Sequence, residues 1–334
     1  MQGHQRERVA DALSLTRRWQ VDTVAAAVVL PGGSTVALGP TSRTFRLASI
    51  SKMLVGWAAL IASEEGTIDL DAPLGEVGGI DLAGASCRHL LAHASGLAFD
   101  TADRLAAPGT RRIYSNTGIE LLAAHLAGAA AMPFGDYLAE AVLEPLGLSS
   151  TELRGSPAKD IAGTVDDLVR FVAELQQPRL VSADSALDFR SVQFAGLPGV
   201  LPGIGRFDDC TWGLGAEVRG TKQPHWTGTR NSPSTYGHFG GAGTLLWVDP
   251  AAATACIALT DRPFDEWASE ALVLWPALAD AVLSAVDTAP ATATTTPTVP
   301  SSWSPDGSGA PSPDADAPEP LRRAADAAIR PVTA

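Results

Sequence analysis

Hydrophobic residues in this chain follow a strand-like pattern near both ends and a helix-like pattern in the middle. Two apolar runs, at residues 25–30 and 34–38, flank Pro31-Gly32-Gly33, an arrangement typical of a β-hairpin. Strand-like runs return at residues 212–218, 243–248 and 254–260. The pattern therefore predicts an antiparallel sheet that takes strands from both ends of the chain.

A different pattern, with apolar residues on every side, runs from Ser49 to Glu65 and stops at Gly66. It predicts a buried helix, because a helix that faces solvent keeps one polar side, and glycine is favoured directly after a helix end. More helical segments, separated by Gly and Pro, lie between residues 80 and 194. The clearest are 117–129, 134–144 and 165–176, and a last helix is predicted over 266–286.

These elements predict an α+β fold, in which an antiparallel sheet built from both chain ends is flanked by helices and carries an all-helical insertion. We expect a discontinuous sheet domain over residues 1–79 and 195–286 and a helical domain over 80–194. Residues 287–334 are rich in Pro, Ala and Thr and lack the apolar content for a core, so a disordered tail is expected there. Within the tail, only residues 321–329 have a weak helical pattern.

Composition narrows the possible partners of the chain. The 334 residues are 46% hydrophobic and 18% charged, with a formal net charge of -13. Nucleic acids and anionic membranes attract clusters of Lys and Arg, so we expect neither as a partner and expect a small molecule instead. No apolar run approaches the ~20 residues that span a bilayer, and no export signal is evident. The expectation is a cytoplasmic protein without a membrane span, with a monomer as the default.

The three cysteines, Cys87, Cys210 and Cys256, are far apart and have no metal-ligand spacing. This arrangement predicts buried thiols and supports neither a disulfide framework nor a metal site. The candidate chemistry described next likewise calls for no metal and no organic cofactor.

The first candidate for chemistry is Ser49-Ile50-Ser51-Lys52, at the start of the predicted buried helix. Residues three apart share a helix face, so the Ser49 hydroxyl and the Lys52 amine can meet. Burial would lower the pKa of this lysine towards a value useful for a base, which an arginine could not provide. Only three of the 24 basic residues are lysine. Taken alone, the motif also fits a serine helix cap followed by a solvated lysine.

Two further short motifs carry polar groups. Tyr114-Ser115-Asn116 precedes a predicted helix, and it supplies a hydroxyl that can relay protons and an amide that both donates and accepts. His238-Phe239-Gly240-Gly241 precedes a predicted strand, where glycine is typical of a place at which a ligand's backbone comes close. Each motif alone also fits a structural role, the first as a polar loop that caps a helix and the second as a sheet edge with a satisfied histidine.

In this order, Ser-x-x-Lys, Tyr-x-Asn and His-x-Gly resemble the three motifs of the serine β-lactamase and penicillin-binding protein superfamily. The most similar form is the branch of class C β-lactamases, D-alanyl-D-alanine carboxypeptidases and related esterases. Stretches at residues 90–97, 108–110, 144–148 and 243–250 are similar to this family too. The resemblance covers roughly residues 20 to 285 and implies a β-lactamase/transpeptidase-like fold.

The resemblance also implies a catalytic role for three residues. Ser49 would be the nucleophile that forms an acyl-enzyme, and Lys52 and Tyr114 would exchange its proton. Deacylation would have to reuse Tyr114 or Lys52, because no Glu-x-x-Leu-Asn motif of the class A kind is present.

For substrate binding, the resemblance implies that Asn116 holds an amide and that His238 and Gly240 form the opposite wall. The backbone N–H groups of Ser49 and Gly241 would form the oxyanion hole. A β-lactamase usually has lysine where this chain has His238, so the third motif weakens the case for a substrate that carries a carboxylate.

We therefore predict a serine hydrolase that cleaves a small ester or amide in two steps. A true β-lactamase and a D-alanyl-D-alanine carboxypeptidase are alternatives on the same residues, with Arg230 or Arg262 as possible replacements for the missing lysine. A non-catalytic ligand-binding sensor is an alternative of another class, although a pure binder has no need of Lys52. The absence of a Gly-x-Ser-x-Gly elbow argues against an α/β-hydrolase.

Overall fold

A computed structural model describes residues 2–287 of the chain. The predicted tail therefore lies outside the described residues, apart from Asp287, and so does the helical pattern at residues 321–329. The α-helices are α1 (Gln2–Ser14), α2 (Ser51–Glu64), α3 (Cys87–Leu91), α4 (Asn116–Ala130), α5 (Phe134–Leu138), α6 (Val165–Gln176), α7 (Ala183–Arg190) and α8 (Ala268–Val286).

The strands are short outside one main sheet. They are β1 (Val24–Val29), β2 (Thr35–Leu38), β3 (Phe45–Arg46), β4 (Glu76–Val77), β5 (Ile80–Asp81), β6 (Glu152–Leu153), β7 (Ile161–Gly163), β8 (Gly199–Leu201), β9 (Gly205–Phe207), β10 (Glu217–Val218), β11 (Tyr236–Gly240), β12 (Thr244–Asp249) and β13 (Thr254–Thr260).

The main sheet has six strands in the order β10-β11-β12-β13-β1-β2. All its neighbouring strands are antiparallel, and the two ends of the chain meet where β1 pairs with β13, with Val24 opposite Thr260 and Val29 opposite Ala255. The predicted α+β fold with a sheet from both chain ends is confirmed.

Both faces of the sheet are covered, which explains why β1 is apolar at every position instead of alternating. Successive side chains of a strand point to opposite faces. Ala25 and Ala27 pack into the core that contains α2, whereas Ala26 and Val28 pack into the core that contains α8. The site described below lies where the first of these cores meets the end of β11.

The structure differs from the sequence-based expectations at three places. Of the strand-like run predicted at residues 212–218, only Glu217–Val218 forms a strand. The polar helix α1 is not among the predicted elements, yet it packs against α8 through Val9 and Leu13, which are fully buried. The segment predicted as all-helical also contains the short strands β5, β6 and β7. Strand β7 pairs with β3, which ties this segment to the chain directly before Ser49. The predicted domain boundaries stay a prediction.

Helix α8 is long and apolar enough, by length and composition only, to cross a membrane, and so is the sharply bent pair formed by Asn116–Ala130 and Phe134–Leu143. The expectation from the sequence that no apolar run approaches the length of a membrane span is therefore wrong for α8, by length and composition. In the structure, its residues Ala271, Trp275, Leu278 and Val282 are buried in the core on one face of the sheet. This packing is that of a core helix.

Candidate active site

Ser49 lies in a single 3-10 turn, Ala48–Ile50, that leads directly into α2. The predicted helix thus begins two residues after Ser49. Ala48 has a φ of 49°, a backbone conformation that is uncommon for a residue with a side chain and that costs energy unless its surroundings hold it. Leu47 supplies that support, because its N–H donates to Ile161 O at 2.9 Å and its carbonyl accepts from Thr244 Oγ1 at 3.0 Å.

Lys52 is fully buried, one turn after Ser49. Its Nζ donates to Ser49 Oγ at 3.2 Å, to Asn116 Oδ1 at 2.7 Å and to the Ala158 carbonyl at 2.8 Å. These three acceptors match the three hydrogens of an ammonium group and fix its position. Burial lowers the pKa of Lys52 to about 7, so a large share of this lysine is neutral near neutral pH.

The Tyr114 hydroxyl lies on the other side of Ser49, with its oxygen 2.7 Å from Ser49 Oγ and 3.3 Å from His238 Nε2. Burial raises the pKa of Tyr114 far above its ordinary value, so the phenol keeps its proton. His238 Nδ1 lies 2.6 Å from the Phe239 carbonyl, which can only accept. Nδ1 therefore carries the ring proton, and Nε2 is free to accept one from Tyr114.

His238 is 3% exposed. Burial and the nearby charge of Lys52 lower the pKa of His238 to about 3. The imidazole is therefore neutral at every pH at which the protein is expected to work, and it contributes a dipole but no positive charge.

Gly240 is required by the packing of β11 against the turn that carries the serine. A Cβ at this position would lie 2.7 Å from the Leu47 carbonyl and 2.9 Å from the Ala48 side chain. The glycine at position 240 thus marks a close approach of the protein's own backbone just before Ser49, whereas the sequence pattern predicted close approach of a ligand's backbone. Gly241 follows at the open edge and lines the same cleft as Ser49.

Asn116 is the first residue of α4, and Ser115 is the cap of that helix, with its Oγ accepting from the Gly118 N–H at 2.9 Å. The structural interpretation of this motif as a helix cap therefore holds for Ser115 as well. The Asn116 amide is occupied inside the protein, because its Nδ2 donates to Asp100 Oδ1 at 2.8 Å while its Oδ1 accepts from Lys52.

The predicted residues meet at a cleft of about 540 Å³. Ser49, Tyr114, Asn116, His238 and Gly241 line it directly, while Lys52 and Gly240 lie behind its wall. Apolar lining comes from Phe45, Phe99, Leu201, Pro202, Phe239, Pro263 and Phe264.

The cations of the cleft are not those proposed from the sequence. Arg230 pairs with Asp287, and Arg262 donates to the carbonyls of Gln20 and Glu266, so neither lines the cleft. The cleft is lined instead by three other cations, each facing a carboxylate. They are Arg43 with Asp261 at 3.4 Å, Arg46 with Asp160 at 3.0 Å and Lys159 with Asp100 at 3.9 Å.

His93 is a further residue of the site that the motif analysis did not assign. Its carbonyl accepts from the Ile113 N–H at 2.9 Å, and its Nδ1 accepts from the Ser115 N–H at 3.2 Å, so it holds the chain on both sides of Tyr114. Its ring also lies against the Tyr114 ring, with the centroids 4.4 Å apart. The sequence signal was present, because His93 lies in the family-like stretch 90–97.

Comparison with known proteins links this geometry to a family. A family model described as Beta-lactamase matches residues 14–279. A crystal structure of a beta-lactamase from Mycobacterium bovis is 48% identical, covers 82% of this chain and 98% of that chain, and has a TM-score of 0.77.

More distant proteins are also similar to this chain, in structure or in sequence. EstCE1, a hydrolase with promiscuous acyltransferase activity, is 19% identical with a TM-score of 0.67, covering 84% of this chain and 99% of that one. A protein of Escherichia coli O157:H7, provisionally named a D-alanyl-D-alanine carboxypeptidase, is 26% identical over 201 residues, which are 47% of this chain. The chain spans about half the length of the curated relatives it matches, 46% in this case.

Proposed function

Because this chain belongs to the beta-lactamase family, we propose that it is a serine hydrolase in which Ser49 attacks the carbonyl of a small ester or amide. The observation that supports this most is the position of Ser49 Oγ, 2.7 Å from the Tyr114 hydroxyl and 3.2 Å from Lys52 Nζ, at the edge of an open cleft. A nucleophile within hydrogen-bond reach of a base is the arrangement that acyl transfer requires.

In the first step, neutral Lys52 accepts the Ser49 proton while Oγ forms a bond to the substrate carbonyl carbon. The resulting oxyanion is stabilised by the backbone N–H groups of Ser49 and Gly241. The bond to the leaving group then breaks, and Tyr114 delivers a proton to the departing oxygen or nitrogen and is reprotonated from Lys52. Water repeats the sequence on the acyl-enzyme and releases the acid.

The electrostatics of the cleft favour a neutral substrate. His238 is uncharged near pH 7, and each cation of the lining already faces a carboxylate. A substrate carboxylate would have to compete with these carboxylates for its partner. A short ester or amide presents its carbonyl to Ser49 without that competition.

Hydrolysis of a β-lactam is the second candidate, because the 48% identical protein from Mycobacterium bovis is described as a beta-lactamase. The same nucleophile would open the lactam ring, so the two candidates differ in substrate and share the chemistry at Ser49. The relative rates on an ester and on a β-lactam therefore distinguish them.

The experiment for the common step is labelling with a fluorophosphonate, followed by intact-mass measurement and peptide mapping. We expect one adduct, on Ser49, and none in Ser49→Ala. Ser51→Ala is the matched control, since Ser51 Oγ accepts from the Ile161 N–H at 3.2 Å and does not line the cleft. Labelling that persists in Ser49→Ala would reject the proposal, and labelling without turnover of any ester or lactam would favour a ligand-binding sensor.

A further inference from the structure

The side-chain amide of Asn116 forms hydrogen bonds to two charged residues, Lys52 and Asp100. Lys52 Nζ donates to its Oδ1 at 2.7 Å, and its Nδ2 donates to Asp100 Oδ1 at 2.8 Å. An ammonium group only donates and a carboxylate only accepts, so the orientation of the amide is determined. Asn116 therefore links the carboxylate of Asp100 to the amine of Lys52 through two short hydrogen bonds.

Asp100 and its counter-ion Lys159 approach Lys52 through different groups. The side chain of Asp100 is 45% exposed and lines the cleft, and it faces Lys159 Nζ at 3.9 Å. Lys159 directly follows Ala158, whose carbonyl accepts from Lys52 at 2.8 Å. Asp100 is thus linked to Lys52 through the Asn116 amide, and Lys159 follows the residue whose carbonyl binds Lys52.

We propose that Asp100 and Lys159 act as opposed positioning residues that set the protonation state of Lys52, Asp100 by favouring the ammonium form through the Asn116 amide and Lys159 by disfavouring it. The inference rests on the proposed function in assigning the role of base to Lys52. The proposal assigns a role to two residues that belong to none of the three motifs. It also gives Asn116 the role of linking Asp100 to Lys52, in addition to any contact with the substrate.

The charges that face Lys52 from every packed element support this assignment. Burial has the largest effect and lowers the pKa of Lys52, after which Asp100 raises it, Lys159 lowers it and Glu120 raises it, in that order of size. Glu120 lies on α4, where it accepts a hydrogen bond from Ser156 Oγ, and its effect on the pKa of Lys52 is the smallest of the four.

The remaining titratable neighbours are neutral near pH 7. Burial lowers the pKa of His93 well below its ordinary value and that of His238 to about 3, and burial raises the pKa of Tyr114. None of the three changes charge while Lys52 titrates. Asp100 and Lys159 are therefore the charges whose removal should move the titration of Lys52 in opposite directions.

The composition of the chain makes a direct test possible, because the protein has only three lysines. Protein labelled with 13C at lysine Cε gives one signal each for Lys52, Lys159 and Lys222, assigned by Lys52→Met and Lys159→Met. Asp100→Asn keeps an acceptor for Asn116 and removes the charge. We expect the Lys52 midpoint to fall by about half a pH unit to one pH unit in Asp100→Asn and to rise by a similar amount in Lys159→Met.

The matched control is Asp103→Asn, an exposed carboxylate in the same loop that accepts from Thr101 Oγ1 at 2.8 Å. Its Lys52 midpoint should stay within error of the unmodified protein. The acid limb of kcat/KM for p-nitrophenyl butyrate should move with the Lys52 midpoint in Asp100→Asn and Lys159→Met.

Midpoints that do not move, or that move in the same direction in Asp100→Asn and Lys159→Met, would overturn the inference. Because the signal of Lys52 is read without substrate, the test is independent of turnover. If the midpoints shift in opposite directions but the protein cleaves no ester, the role of Asp100 and Lys159 in setting the protonation state of Lys52 is supported. Only the proposed function is then rejected.

Discussion

The hydroxyl oxygen of Tyr114 lies closer to Ser49 Oγ, at 2.7 Å, than Nζ of Lys52 does, at 3.2 Å. Distance alone would make Tyr114 the base. The charge states favour the other assignment, because burial raises the pKa of Tyr114 and lowers that of Lys52 to about 7. A base must be unprotonated at the working pH, so the proposed mechanism assigns the proton of Ser49 to Lys52 and a proton-relay role to Tyr114.

The first prediction concerns the replacement Lys52→Arg. Arginine keeps the positive charge but cannot lose its proton, so we expect activity to fall on the order of a thousandfold or more, as in Lys52→Ala. The measurement is kcat/KM with p-nitrophenyl butyrate for both variants, with circular dichroism to show that each is folded. Turnover near that of the unmodified protein in Lys52→Arg would show that charge alone suffices.

The second prediction concerns the pH dependence of kcat/KM. In the proposed mechanism neutral Lys52 is the active form, so the rate should rise with pH through a midpoint of about 7 and level off above it. His238 titrates near 3 and the pKa of Tyr114 is raised, so neither adds a limb between pH 5 and 9. A stopped-flow or plate assay over this range tests the profile, and a rate that falls as pH rises through 7 would contradict it.

Much of the fold is accessible from the amino-acid sequence because its elements have strong local signals. Strands β1, β12 and β13 and helices α4, α6 and α8 begin and end within two residues of their predicted bounds. Helix α1 is not predicted because its mostly polar sequence resembles a solvated segment. Its fully buried residues Val9 and Leu13 are too few to indicate an amphipathic helix from the sequence.

The residues of the candidate site likewise fall into those that the sequence indicates and those that it does not. The family resemblance of the ordered motifs implies that Ser49, Tyr114 and His238 share one site, and the structure brings them together, although their roles stay predictions. Asp100 and Lys159 belong to no motif, and only the folded chain brings them near Lys52, through Asn116 and Ala158, so no local sequence pattern indicates them. Sequence alone likewise offers Arg230 and Arg262 as cleft cations, and nothing local excludes them.

The third prediction tests a buried charge cluster away from the cleft. Glu217, 2% exposed, pairs with Lys222 at 3.1 Å and with His225 at 2.9 Å. Burial would raise the pKa of Glu217, but these partners more than offset it and lower the pKa to about 2. Glu217→Gln leaves Lys222 buried without its counter-ion, so we expect a loss of roughly 3–5 kcal/mol of unfolding free energy.

Denaturant unfolding measures this loss, and the exposed Glu152→Gln, which removes a surface partner of Arg154, should change stability little. Because the pKa of Glu217 is lower in the folded protein than in the unfolded chain, its ionised form stabilises the fold at pH values above about 4.3. This stabilisation is lost as the pH falls towards 2. The fall in stability of the unmodified protein across that window should therefore shrink in Glu217→Gln. Equal stability of the two variants at pH 7 would contradict the assignment.

The last prediction is the order of substrates: p-nitrophenyl butyrate should have a higher kcat/KM than nitrocefin or a D-alanyl-D-alanine peptide. The latter two carry a carboxylate, and the residue in the third motif, His238, is neutral because its pKa is lowered to about 3. The cations that do line the cleft face Asp261, Asp160 and Asp100, which compete for them. All three substrates should be assayed on one preparation at several pH values.

A clear preference for nitrocefin or the peptide at pH 7.5 would reject the ester assignment and point to Lys159 first, because its ion pair is the longest of the three at 3.9 Å. In that event Lys159→Met should lose much more activity on the carboxylate-bearing substrate than on the ester, which loses only what the higher pKa of Lys52 removes. Arg262→Met is the matched control, since Arg262 donates to the Gln20 and Glu266 carbonyls outside the cleft lining. An equal loss on both substrates in Lys159→Met would instead fit its effect on Lys52, so the ratio of the two rates separates an anion anchor from a residue that sets the base.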